Sequence, residues 1–76
     1  MPSIKPINWK KFEKFILFVG CQFERKHGDH RVYQREDLKR PVIFPEDSEI
    51  PVFIIRNNLR TLGISHNEYI SILEKI

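Results

Sequence analysis

Three histidines, one cysteine and a set of clustered cations are the residues of this chain that could do chemistry. His30 stands out among them by position. It follows Gly28-Asp29, a pair that signals a tight hairpin turn when it separates two alternating segments. An imidazole that opens a strand directly after such a turn is held by the sheet yet stays close to solvent. Arg25, Lys26, Arg31 and Arg35 lie in the same hairpin. An imidazole with neighbouring cations is a minimal kit for cleaving RNA. The base takes the proton of a ribose 2′-hydroxyl, the oxygen attacks the adjacent phosphorus, and the cations steady the charge that develops there. Histidine suits the task because its ordinary pKa, about 6.5, lies near working pH. This route needs no metal in principle, and the sequence offers no carboxylate cluster to hold one.

The residue types alone leave other readings open. A lone histidine beside a turn is also an ordinary surface or capping residue, and the four cations also read as a solvated strand face. His27 reads as a turn residue that could assist His30. His66 follows an N-cap serine and reads as structural. Tyr33 shares a strand face with Arg31 and Arg35, where an aromatic ring could stack on a base, although core or cross-strand packing leads for it. Trp9, Phe12, Phe15 and Tyr69 read as core. Cys21 begins a strand on an apolar face, and no His/Asn pairing marks it as a nucleophile.

The elements that must position these residues follow from periodicity and caps. Asn8 is a good N-cap, and Trp9, Phe12, Phe15, Ile16 and Val19 recur at helical spacing before Gly20, which predicts a helix over about 8–20. Two alternating segments, Cys21 to Lys26 and His30 to Glu36, predict the hairpin. In the first, Cys21, Phe23 and Arg25 should face one way and Gln22, Glu24 and Lys26 the other. Pro41-Val42-Ile43-Phe44-Pro45 reads as a third strand, suited to a sheet edge by its prolines. Pro51 at a first helical position opens a second helix to about Leu62, closed by Gly63, with Val52, Ile55, Leu59 and Leu62 on its apolar face. Ser65-His66-Asn67-Glu68 is a capping box that starts a short terminal helix. The fold class is α+β: a three-stranded antiparallel sheet with both long helices on one face and the other face open.

Size and composition set bounds on that picture. The 76 residues, 41% hydrophobic and 30% charged, suit a single domain over 1–76 with a thin core. The lone cysteine excludes an internal disulfide, and one Cys with three scattered His leaves almost no room for a four-ligand zinc site. Good packing or a partner chain must supply the remaining stability. The longest apolar run, Phe15 to Val19, is far short of the roughly 20 residues that span a bilayer, so a soluble, cytoplasmic protein is expected. The net charge of +3 is uneven. Residues 1–40 carry ten Lys/Arg against five Asp/Glu, and residues 41–76 carry three against five. The basic half holds the hairpin, which suits an anionic partner.

Taken together, these motifs resemble the HicA (YcfA-like) family, mRNA interferase toxins of type II toxin–antitoxin systems. The matching pieces are Val19-Gly20, Phe23-Glu24-Arg25-Lys26, Gly28-Asp29-His30-Arg31-Val32-Tyr33, Pro41-Val42-Ile43-Phe44-Pro45, and Arg56-Asn57-Asn58-Leu59-Arg60-Thr61-Leu62-Gly63-Ile64-Ser65. The resemblance implies a fold like a double-stranded-RNA-binding domain, α-β-β-β-α, here with an added C-terminal helix. It implies a metal-independent endoribonuclease without cofactor that cleaves mRNA, with His30 as its single catalytic histidine. Lys26, Arg31 and Arg35 would bind RNA. It also implies a HicB-type antitoxin partner in a toxin–antitoxin hetero-oligomer. Two departures stand out. The commonest family pattern is Gly-Ser-His where this chain has Gly28-Asp29-His30, and the second helix opens on Pro51-Val52-Phe53-Ile54-Ile55 rather than Gly-Thr-Leu. The rival reading is a non-catalytic RNA-binding or protein-interaction module on the same scaffold. The lack of lysine at the start of the second helix speaks against the usual double-stranded-RNA mode.

Overall fold

The structure is a computed structural model that describes residues 3–76. Its elements run α1 (Trp9–Phe18), β1 (Gln22–His27), β2 (His30–Gln34), β3 (Val42–Pro45), α2 (Val52–Leu62) and α3 (His66–Leu73). The Asn8 side chain accepts the Lys10 N–H at 2.9 Å and so starts α1 as its sequence predicts. Gly63, at φ +70°, closes α2 in the left-handed conformation that glycine adopts most easily. Pro51 stands one position earlier than expected, as the N-cap of α2 without a side-chain capping bond. At α3 the Ser65–Glu68 capping box is complete in both directions.

The strands form one antiparallel sheet in the order β1-β2-β3. β3 lies at an edge, where its flanking prolines cost no ladder bonds. Tyr33 pairs with Val42, and Arg31 with Phe44, so these four residues share one face. That face is the core. Tyr33, Val42 and Phe44 are buried there with Phe12, Phe15 and Ile16 of α1, Ile55, Leu59 and Leu62 of α2, and Tyr69 of α3. Phe12 meets Phe44 edge-on at 5.0 Å between ring centres, and Phe15 meets Tyr69 edge-on at 4.8 Å. Trp9, expected in the core, is only half-buried.

Two features depart from simple alternation. The ladder between β1 and β2 slips between Phe23 and Arg25, leaving Glu24 as an extra residue. The bulge breaks the expected grouping of Phe23 with Arg25. Phe23 pairs with Tyr33 on the core side, its ring edge-on at 5.5 Å, while Arg25 pairs with Val32 on the opposite face. The second feature is Asn58, a buried polar residue on the apolar stripe of α2. Its Nδ2 donates to the Ile43 carbonyl at 3.0 Å, and its Oδ1 accepts the Ile43 N–H at 3.4 Å. The amide thereby takes the place of a neighbouring strand along β3 and fastens α2 to the sheet.

Candidate active site

The hairpin tip is built by two residues. Gly28 has φ +64°, and no described non-glycine residue has a positive φ, so Asp29 stays in the ordinary region. This is the pattern of a II′ turn, which takes glycine first and matches the twist of the strands it joins. The turn makes His27 and His30 direct cross-strand partners. The Glu46 N–H donates to the Asp29 carbonyl at 2.8 Å and ties the tip to the exit of β3.

Both histidines lie on the face away from the helices. Register places Gln22, Arg25 and His27 of β1 there, beside His30, Val32 and Gln34 of β2 and Ile43 and Pro45 of β3. The His30 side chain is 54% exposed, so a substrate can reach it. Its Nδ1 lies 3.0 Å from Asp29 Oδ1. That contact turns Nδ1 toward the carboxylate and leaves Nε2 as the ring nitrogen that a ligand can meet. The acidic residue that departs from the Gly-Ser-His pattern therefore orients the imidazole.

The three cations expected to join His30 are dispersed. Arg31 points to the helix side, where Nε donates to the Tyr33 hydroxyl at 3.0 Å, Nη1 to Glu46 at 2.8 Å and Nη2 to Glu13 at 3.2 Å. Its guanidinium also lies over Phe23 and Trp9, 4.6 and 4.9 Å from the ring centres. The bond to Tyr33, then the bond to Glu46, raises its pKa above an already high ordinary value. Tyr33, which also donates to Glu13, is pushed up to about 12, chiefly by burial. Tyr33 is thus a core residue and not a surface for base stacking. Lys26 is half-exposed and binds Glu46 at 2.9 Å; its bond and that of Arg31 hold the Glu46 carboxyl below its ordinary value. Arg35 sits at the far end of β2. It grips Asp37 through Nε (2.6 Å) and Nη2 (3.1 Å) and donates from Nη1 to the Val19 carbonyl at 2.7 Å. There it lines a groove of about 720 Å³ with Lys39, Arg40 and Arg60.

Sequence reasoning understated Arg25. It is the cation that register sets on the His30 face, two residues before His27, with a side chain 57% exposed and paired with Glu24; the bulge at Glu24 only turns Phe23 away from it. Alternation counted back from the turn carries that signal, and the bulge hides it only when the strand is followed from Cys21. Cys21 is buried and its thiol is pushed up chiefly by burial, the profile of an unreactive core residue. Among the described residues no group of three or more His, Cys, Asp or Glu converges on a point that could hold a metal ion.

A model of the HicA toxin of bacterial toxin–antitoxin systems matches residues 9–64, from the first residue of α1 through the exit of α2. The match contains the whole hairpin. The chain belongs to the HicA toxin family. No curated protein and no solved structure matches it. As a HicA toxin the chain is the toxin component of a toxin–antitoxin system, of a nuclease type, with RNA as its general target and an antitoxin as its partner. The helix α3 lies beyond the matched span, although its Tyr69 fills the core between Phe12 and Phe15. Among the described residues no helix is long and apolar enough to cross a membrane.

Proposed function

We propose that this HicA toxin is an endoribonuclease that cleaves mRNA without a metal, with His30 as the general base. The reading is carried by one observation: an exposed imidazole on the open sheet face whose Nδ1 is held 3.0 Å from a carboxylate by the adjoining turn. Attack by the RNA's own 2′-hydroxyl needs a base, an acid and charge stabilisation, and none of these requires a metal. Arg25, on the histidine face, and Lys26, beside the tip, are about half-exposed and each paired with one carboxylate, Glu24 and Glu46, that a phosphate would displace. Arg31 and Arg35, engaged by carboxylates, hold the hairpin and the α1 exit in place. A HicB-type antitoxin would neutralise the toxin by covering the histidine face, as a toxin–antitoxin hetero-oligomer in the cytoplasm.

The test compares wild type with His30→Ala, by growth after induced expression and by cleavage of RNA by purified protein in EDTA. His30→Ala should lose growth arrest and cleavage while keeping its fold and its antitoxin. Cleavage by His30→Ala would refute this role. A salt-dependent RNA gel shift by wild type with no cleavage products would favour a non-catalytic RNA-binding module instead, for which the groove lined by Arg35, Lys39, Arg40 and Arg60 offers a phosphate surface.

A further inference from the structure

We propose that His27 is the proton donor to the leaving group, so that the hairpin tip carries an acid and a base rather than one histidine alone. The inference rests on the reading of His30 as the base. His27 and His30 are direct cross-strand partners, so both side chains rise from the same face. Cβ atoms of such a pair stand about 4.5–5.5 Å apart. Imidazoles that lean apart from that spacing can bracket a phosphodiester, whose attacking and leaving oxygens lie on opposite sides of phosphorus in an in-line displacement. The spacing is fixed locally: Gly28 sets the turn, and the Glu46 N–H holds the Asp29 carbonyl.

The two rings have different surroundings, which separates their roles. His30 has Asp29 on its Nδ1. His27 is exposed and has no carboxylate within ion-pair distance among the described residues. The groups that face it are Arg25 on its own strand and His30 with Asp29 across the turn. From β3 the residue opposite His30 is Pro45, and the Glu46 carboxylate that follows is held by Lys26 and Arg31. His27 is therefore free to carry a proton to a ligand oxygen without first leaving a partner.

The chemistry balances without a co-reactant. His30 Nε2 accepts the proton of the 2′-hydroxyl as the 2′-oxygen bonds to phosphorus. The bond from phosphorus to the 5′-oxygen breaks, and the His27 imidazolium gives its proton to that oxygen. The products are a 2′,3′-cyclic phosphate and a 5′-hydroxyl, with the two rings left in exchanged protonation states.

The experiment measures kcat/KM against pH for wild type, His27→Ala and His30→Ala. Two substrates are used: an RNA oligonucleotide, and the same oligonucleotide with sulfur replacing the 5′-bridging oxygen at the cleavage site. A thiolate leaves without a proton. On ordinary RNA, His27→Ala should lose about 10²- to 10⁴-fold, the range of one general acid, and should no longer show the alkaline fall in rate. On the sulfur-bridged RNA it should recover most of the wild-type rate, whereas His30→Ala should stay impaired on both. Equal losses on the two substrates, or no loss on RNA, would overturn the role of His27. Cleavage retained by His30→Ala, or absent in wild type, would overturn the underlying reading as well. Circular dichroism on each variant separates these outcomes from misfolding.

Discussion

Replacing Asn58 by leucine should lower the stability of the domain by about 2–3 kcal/mol, because it strips both partners from the Ile43 backbone at once. The size follows from the geometry. A net contribution of about 1 kcal/mol per hydrogen bond applies to the pair, and an extra desolvation cost falls on any group left facing an apolar side chain. The bond from Nδ2 to the carbonyl, at 3.0 Å, should dominate; the one at 3.4 Å is long for an N–H···O contact. Asn58→Asp separates the two. It keeps the acceptor, loses the donor and sets a carboxylate against the carbonyl oxygen, so it should be no more stable than Asn58→Leu. With a urea slope of about 1 kcal/mol/M for a chain of this size, the unfolding midpoint should fall by about 2 M in a titration followed by far-ultraviolet circular dichroism. A midpoint for Asn58→Leu within about 0.5 M of wild type, less than a quarter of that shift, would refute the argument. So would an Asn58→Asp protein more stable than the leucine variant.

The tyrosines provide an opposed pair. Tyr33→Phe should cost about 2 kcal/mol, since its hydroxyl serves both Arg31 and Glu13, whereas Tyr69→Phe should be neutral or stabilising, since the Tyr69 hydroxyl is buried without a partner. Thermal melts that rank the two variants the other way would contradict the hydrogen-bond assignment. Acid should weaken the domain through Glu46. Its carboxyl is held below the ordinary value of 4.5 by Lys26 and then Arg31, so the stability it contributes is present above that value and is lost as pH falls through the lower folded-state value. Glu46→Gln should therefore flatten the fall of the urea midpoint on acidification below about pH 4.5, leaving the part due to Asp37 and Arg35; an unchanged acid slope would remove Glu46 from that role.

Much of the fold was legible because its signals are local. Asn8, Gly63 and the Ser65–Glu68 box act on their own backbone neighbours, so caps and helix spans follow from adjacent residues. The Gly28-Asp29 turn likewise dictates its own hairpin and sets His30 at the strand opening. The rest depends on partners distant in sequence. Arg31 reads as a surface cation until Glu13 and Glu46, brought from α1 and from the loop after β3, claim it. Asn58 sits at helical spacing from Ile55 and Leu62, so its burial could be suspected, but its task depends on a β3 edge that lies fifteen residues away. Phe23 is expected beside Arg25 yet lies on the opposite face, because a bulge has no signature in an alternating pattern.

That bulge determines how the strand can tolerate changes in length. The turn pins His27 and His30, and the core pins Tyr33, so the two ends of β1 are fixed by different constraints. Deleting Glu24 would leave the histidine pair where it is and invert everything before it. Phe23 would turn from Tyr33 to the histidine face, and the inversion would carry on toward Cys21, now buried. Point substitution at this exposed glutamate is cheap, while its loss would place a phenylalanine beside the histidines. Glu24 thus serves as a spacer as well as a partner of Arg25, and insertion or deletion there is a far harsher change than replacement of its side chain.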